Sequence, residues 1–115
     1  MYRFRESQGG VTLEYDIEPS VVAEAVQAAL NACGKVASVQ RETGVITGSV
    51  GMGWFHNGAD VSIQIKKTGS GTQVVISGTA GEAALGGGSA QKCIAKLTEQ
   101  LTKQPALKGH SRTGW

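Results

Sequence analysis

The sequence has only two cysteines and two histidines, and these scarcities exclude several kinds of site. Cys33 and Cys93 lie far apart in the chain, which fits neither a disulfide framework nor the ligand spacing of a structural metal site. His56 and His110 are also distant from each other, whereas a catalytic zinc ion usually takes three protein ligands. We therefore expect two reduced thiols, no metal and no other cofactor.

Membrane spans and targeting signals are also missing from the sequence. No apolar run approaches the roughly 20 residues that a membrane-spanning helix needs. The first residues include Arg3, Arg5 and Glu6, where a secretory signal would carry an apolar core and a small-residue cleavage site. The sequence as given predicts a cytoplasmic protein, although a chain from which a leader had been removed would read the same way.

The charge balance gives little reason to expect a nucleic acid partner. The net charge is +2, and the apolar fraction of 40% is typical of a globular chain. The basic excess lies near the two chain ends, at Arg3, Arg5, Lys103, Lys108 and Arg112. At 115 residues the chain fits a single domain with one core.

Two different periodicities follow each other along the first third of the chain. Alternating apolar residues from Val11 to Ile17 predict a strand with one buried face. Pro19 then suits the first turn of a helix, where its missing N–H would have no partner. An apolar stripe at three- and four-residue spacing predicts that this helix runs to Ala32, and Gly34 is expected to end it in a left-handed conformation.

Four more strands and a second helix are predicted after Gly34. The strands lie between residues 35 and 79 and are joined by short turns such as Thr43-Gly44. The second helix runs from Ser89, a credible N-cap, to Gln104, and Pro105 ends it. The side chains predicted to face the core from the strands are Leu13, Ala37, Val39, Ile46, Val50, Ile63 and Ile76.

These elements form one α+β domain over residues 1–104, with an antiparallel five-stranded curved sheet and two helices packed on one face. Residues 1–10 are read as an extra edge strand, because Tyr2 and Phe4 alternate with polar residues and Gln8-Gly9-Gly10 would turn the chain into a hairpin. That strand would make the sheet six-stranded. Residues 105–115 are polar and basic, and they predict a flexible C-terminal tail.

The segment from Ala25 through Gly48 has a distinctive order of elements and turns. A helix ending in Cys33-Gly34 is followed by a strand, by Arg41-Glu42-Thr43-Gly44 and by a second strand ending in Thr47-Gly48. This pattern resembles small bacterial domains of unknown function with the β-α-β-β-β-β-α fold of TATA-binding proteins, and the resemblance extends over Val11 to Gln104. It implies a fold and no function, because it contains no catalytic motif.

In a fold of this kind, the sheet face opposite the helices is open to a partner. The side chains predicted to point outward there are Thr12, Glu14, Asp16, Ser38, Gln40, Thr47, Ser49, Ser62, Gln64, Lys66, Gln73, Val75, Ser77 and Thr79. This set is mostly neutral, whereas a DNA-binding face needs Lys and Arg to neutralise phosphates. Two interpretations remain, a face that packs against a second copy of the chain and a face that is simply hydrated.

A glycine-rich loop with two aromatic residues is expected between the third and fourth strands. Glycine permits close backbone approach, the aromatic rings offer flat apolar contact, and the histidine and asparagine supply hydrogen bonds. The candidate contacts for a ligand or partner are Gly51, Gly53, Trp54, Phe55, His56 and Asn57. The alternative is a long hairpin in which Asn57-Gly58 makes the turn and an aromatic ring covers the core edge.

A second candidate site lies at the start of the second helix, at Gly86, Gly87, Gly88 and Ser89. Free N–H groups and the helix dipole favour anions at such a position. No Gly-Lys-Ser/Thr follows, so the segment is not a P-loop. The alternative is a flexible connection.

No catalytic constellation is visible, and the sequence predicts a non-enzymatic protein. A nucleophilic cysteine would need a nearby base or positive charge, and only Lys35 or Lys92 adjoins one in sequence. The favoured function is an uncharacterised binding or protein-interaction domain that self-associates, as a dimer. The alternative is a protein that binds a small ligand or an anion through Gly86 to Ser89.

Overall fold

The computed structural model describes residues 6–51, 59–81 and 89–111, and in these it shows the predicted α+β architecture. The strands are β1 (Glu6–Tyr15), β2 (Gly34–Gln40), β3 (Val45–Val50), β4 (Ala59–Lys67) and β5 (Thr72–Gly81). The helices are α1 (Pro19–Cys33), α2 (Ser89–Thr102) and a short 3₁₀ helix (Pro105–Leu107). The predicted antiparallel five-stranded sheet with two helices is confirmed.

The sheet has the order β1-β5-β4-β3-β2, and every neighbouring pair is antiparallel. β4 is therefore the central strand, and β1 and β2 are the edges. The register between β2 and β3 shifts from Val36 to Ser38, which leaves Ala37 as a bulge. α1 packs on β2, β3 and β4, α2 packs mainly on β1 and β5, and the two helices also contact each other.

The core lies between the helices and the inner face of the sheet. Its fully buried side chains include Val22, Val26, Leu30, Ile46, Ile63, Ile76, Ile94, Leu97 and Leu101. Each such aliphatic side chain contributes roughly 1.5–3 kcal/mol when it is removed from water. The alternation of buried Val61 and Ile63 with exposed Ser62 follows the predicted period of two.

Glycines on the inner face bring the helices close to the sheet. A Cβ atom on Gly78 would lie 3.3 Å from Cδ1 of Ile94, and one on Gly48 would lie 2.7 Å from Cδ2 of Leu30. Because these positions carry no side chain, the helices pack directly against the backbone of the sheet. The helix layer and the sheet layer are therefore close together.

The predicted role of Gly34 as a left-handed helix stop is wrong. Its φ is −177°, which is extended backbone, and the chain passes from Cys33 directly into β2. Gly34 pairs with Val50, and a Cβ there would lie 2.8 Å from Val50 Cα. Close approach of two strands, and not a special φ, is the reason for glycine at this position.

The hairpin expected at Gln8-Gly9-Gly10 is not formed. These three residues lie within β1 and pair in unbroken register with Thr79, Gly78 and Ser77 of β5. The sequence predicts the extra strand at Tyr2 and Phe4, and both residues lie outside the described residues.

Two of the predicted inward positions on β2 differ in the structure. Ala37 is exposed because it is the bulge residue, and Val36 packs against the core instead. Val39 pairs with buried Ile46 and so belongs to the inner face, but it remains 38% exposed at the sheet edge.

Residues 105–111, assigned to a flexible tail by their composition, pack against the domain. Leu107 is buried at 4% exposure, and Ser111 forms a bridge with Tyr15 at the end of β1. Asp16 N–H donates to the His110 carbonyl at 2.9 Å, and Nδ1 of His110 lies 2.6 Å from Oδ1 of Asp16. Burial of Leu107 and the backbone pairing of Ser111 with Tyr15 thus fix this segment to the domain. Asp16, predicted to point outward from the sheet, lies just beyond β1 and holds this segment.

Candidate functional site

The two loops proposed from the sequence fall largely outside the described residues. Gly53, Trp54, Phe55, His56 and Asn57 all lie outside them, and only Gly51 of that loop is described. Of the anion-binding candidate, Ser89 is described as the first residue of α2, while Gly86, Gly87 and Gly88 are not described. Both candidate sites therefore stay predictions.

Gly51 lies where both cysteines and a lysine meet. Its N–H donates to the Cys33 carbonyl at 2.9 Å, and its own carbonyl accepts a hydrogen bond from Lys96 Nζ at 2.8 Å. The thiol of Cys93 contacts the Val50 carbonyl at 3.8 Å. The Cys93 thiol and the Cys33 backbone thus contact the same Val50–Gly51 peptide unit, and the Cys33 thiol donates to the Ala29 carbonyl at 3.3 Å within α1.

The two thiols are buried and free of disulfide bonds. Burial is the main effect on each, and it raises the pKa of the Cys33 thiol and the pKa of the Cys93 thiol, although nearby Lys96 acts in the opposite direction. A raised pKa leaves less of the nucleophilic thiolate at neutral pH.

We expect both thiols to be unreactive while the protein is folded. At neutral pH, a disulfide reagent should label them about 100-fold more slowly than a cysteine placed on the surface, because labelling requires local opening. Exposed Ala95 on α2 offers the comparison as Ala95→Cys. Labelling of the native cysteines at the rate of this surface cysteine would contradict the buried arrangement.

The outer face of the sheet carries the polar side chains that were predicted for it, arranged in rows across the strands. One half of the face holds mostly small side chains, and we call it the hollow half: Ser38, Thr47, Ser62, Ser77, Ser49, Asp60 and Thr79. The other half holds longer ones, and we call it the raised half: Gln40, Val45, Gln64, Val75, Thr12, Lys66 and Gln73. The two halves meet at the level of Ile63 on β4.

A shallow depression of about 600 Å³ lies over the hollow half. Residues of all five strands line it, from Gly9 on one edge to Ala37 on the other. Its lining includes the hydroxyls of Thr47, Ser62, Ser77 and Thr79. The Thr47 hydroxyl also forms a 2.6 Å hydrogen bond with the hydroxyl of neighbouring Ser38. The depression follows from the small size of the side chains in these rows.

Charges on the outer face are few and lie at its two ends. On the central strand, exposed Asp60 belongs to the hollow half and exposed Lys66 to the raised half, and neither has an ion-pair partner in the described part of the chain. Lys35 adds a second positive charge, in the row of Asp60, and exposed Glu14 adds a second negative charge, in the row of Lys66. The face therefore lacks the basic surface that duplex DNA binding requires.

A second concave region, which the sequence did not indicate, lies on the helix side of the sheet. It has a volume of about 470 Å³ and runs between the first half of α1 and the hairpin that joins β2 and β3. Ala23, Val39, Ile46 and Ile65 give it an apolar lining. We call it the α1–hairpin groove. Val39, which the sequence predicts to face the core, is the one large apolar side chain that is exposed among the described residues.

Neither metal ligation nor a membrane span is found in the described part of the chain. Among residues 6–51, 59–81 and 89–111, no three His, Cys, Asp or Glu side chains cluster as metal ligands would. The described helices are too short or too polar to cross a lipid bilayer.

Comparison with known proteins gives similarity of fold only. No protein-family model and no curated protein matches the sequence. The structure of SA2116, a protein of unknown function from Staphylococcus aureus, aligns with a TM-score of 0.55 at 9% identity, over 88% of this chain and 96% of that one. Protein MLL2253 from Mesorhizobium loti aligns with a TM-score of 0.57 at 11% identity, over 84% and 95% of the two chains.

A plant protein has the same degree of similarity. Major latex-like protein 151 from Panax ginseng aligns with a TM-score of 0.57 at 10% identity, over 86% of this chain and 97% of that one. The resemblance to small bacterial proteins of unknown function is thus supported at the level of fold, while the relation to TATA-binding proteins is not confirmed. A shared fold at such low identity does not indicate a shared function.

Proposed function

We propose that the chain is a non-enzymatic binding module that self-associates as a symmetric dimer through the outer face of its sheet. The observation that carries the proposal is the division of this face into a hollow half and a raised half. A two-fold axis running across the strands at the level of Ile63 would place the raised half of each copy over the hollow half of the other. Such an interface is isologous and closes after two copies.

The charges on β4 fit the same arrangement. Asp60 and Lys66 lie at equal distances on either side of Ile63, so the two-fold axis would bring Asp60 of one copy over Lys66 of the other, twice. Packed sheets cross at about 30°, and the long lysine side chain can span the resulting offset. An axis along the strands would instead oppose like charges, which is unfavourable.

A non-enzymatic role is consistent with the chemistry of the described residues. The two cysteine thiols are buried and contact backbone carbonyls, and the outer face offers hydroxyls and amides for contact with a partner. Binding through the Trp54 loop remains part of the proposal, because that loop follows Gly51 at one end of β3.

Charge reversal on β4 tests the dimer directly. We expect sedimentation equilibrium to show a dimer for the unaltered chain. Asp60→Lys or Lys66→Glu should each raise the Kd of the dimer at least about tenfold, which corresponds to about 1.4 kcal/mol. The double variant Asp60→Lys/Lys66→Glu should recover most of that loss, because it restores opposite charges across the axis.

The control is Lys92→Glu, which reverses an exposed charge on α2, away from the outer face. It should leave the Kd of the dimer unchanged. A chain that remains monomeric at several hundred micromolar, or single reversals without effect on the dimer, would refute the proposal.

A further inference from the structure

The α1–hairpin groove is an apolar space that the protein itself leaves unfilled. Val39 and Ile46 are paired across β2 and β3 and form its floor, and Ile65 of β4 continues the floor. On the helix side, the lining residue Ala23 leaves Val39 38% exposed and Ile65 partly exposed, while Ile46 beneath them is only 2% exposed. The space exists because the side chain of Ala23 is short. A leucine at this position would fill it.

The groove is held open by a well-fixed hairpin. Gly44 N–H donates to the Gln40 carbonyl at 2.9 Å, and the Gly44 carbonyl accepts from Ile65 N–H at 2.8 Å. Nε2 of Gln64 donates to the Thr43 carbonyl at 2.6 Å. These bonds tie the hairpin tip to β4, so a ligand would meet a preformed site and would not have to order it.

Size and charge define the ligand class. The volume of about 470 Å³ lies within the range of small-molecule sites. Glu24 on α1 and Glu42 on the hairpin both line the groove, against the single cation Arg41. None of these three side chains has an ion-pair partner among the described residues. Two carboxylates and one guanidinium give the mouth of the groove a net charge of −1, which favours a cation over an anion.

We infer that the α1–hairpin groove binds a small amphipathic molecule with an aliphatic body and a cationic head group, such as an alkylamine. The aliphatic body lies on Val39 and Ile65, and the ammonium group reaches the carboxylates at the mouth. This site is on the opposite side of the sheet from the proposed dimer face. The two proposals can therefore fail independently.

Three eight-carbon probes test the inference by isothermal titration calorimetry, namely octylamine, octanol and octanoate at neutral pH. We expect octylamine to bind with a Kd on the order of 0.1 mM, with octanol weaker and octanoate weakest, at least about fivefold weaker than octylamine. Absence of binding by all three probes would overturn the inference, and tighter binding of octanoate than octylamine would overturn the assignment of a cationic head group.

Filling the groove should abolish binding without changing the surface charge. Ala23→Leu is expected to weaken octylamine binding at least tenfold, while Ala28→Leu, on the exposed side of the same helix, should leave it unchanged. Equal binding by the two variants would locate the amine elsewhere and overturn the inference. Glu24→Gln should weaken octylamine but not octanol, whereas Glu99→Gln on α2 should affect neither.

A second substitution distinguishes filling of the groove from a folding defect caused by Ala23→Leu. Val39→Lys places a positive charge on the groove floor at a position that is already partly exposed, and it should also remove octylamine binding because it repels the ammonium group. Ala95→Lys, which adds the same charge at an exposed position of α2 away from the groove and from the outer face, serves as its control.

Discussion

Replacement of Gly34 by alanine is expected to lower the free energy of unfolding by about 3 kcal/mol or more. An added Cβ would lie 2.8 Å from the Ser49 carbonyl carbon and from Val50 Cα, and closer still to the Ser49 carbonyl oxygen. These are backbone atoms of β3, so no side-chain rotation relieves the overlap and the two strands must separate. Since domains are stable by only about 5–15 kcal/mol, urea denaturation should show a large shift.

Gly69 provides the matched control, because nothing lies within 4 Å of the Cβ that alanine would add there. Gly69→Ala should leave stability unchanged or raise it by about 0.4–1 kcal/mol, through the reduced freedom of the unfolded chain. If Gly34→Ala and Gly69→Ala unfolded at the same urea concentration, the close approach of β2 to β3 would be contradicted.

Truncation of Leu107 to alanine is expected to cost about 2–4 kcal/mol. Leu107 lies in the 3₁₀ helix that follows α2, is only 4% exposed and packs with the core beside α1. Its removal would leave a cavity under a segment that otherwise has few tertiary contacts. Thermal and urea unfolding, followed by circular dichroism, measure the loss.

The neighbouring Lys108 is exposed, and Lys108→Ala should change stability by less than about 0.5 kcal/mol. Deletion of residues 105–115 should cost at least as much as Leu107→Ala, since it removes the same leucine and the pairing of Ser111 with Tyr15. Unchanged stability after the deletion would show that the segment is the flexible tail that its composition predicts.

Local periodicity predicted most of this fold. The helix that begins at Pro19 ends within a residue of the predicted position, and the alternation of Ile63 and Val61 with polar neighbours gave the correct faces of β4. These patterns are readable because a helix stripe or a half-buried strand repeats over a few residues. The outward side chains of the sheet followed from the same alternation.

Features that depend on distant parts of the chain could not be read in this way. Gly34 looks like a helix stop in sequence, and only its approach to Val50 explains it. Ala37 continues an apparent alternation, but the bulge that exposes it depends on pairing with β3. Leu107 is the one large apolar residue between Thr102 and Ser111, so no periodicity marks it as buried. The α1–hairpin groove exists because Ala23 faces strands that follow it in the chain.

The bulge at Ala37 bears on how copies of this chain can meet. β2 is an edge strand, and a further strand could add to it only along a regular series of unpaired N–H and C=O groups. With Ala37 displaced from the ladder, that series is broken. Copies joined edge to edge would leave a free edge at each end and grow into fibres, whereas two faces packed together satisfy each other and stop. The extra residue in β2 thus acts against strand addition at that edge of the sheet, and the proposed face-to-face pair does not use the edge.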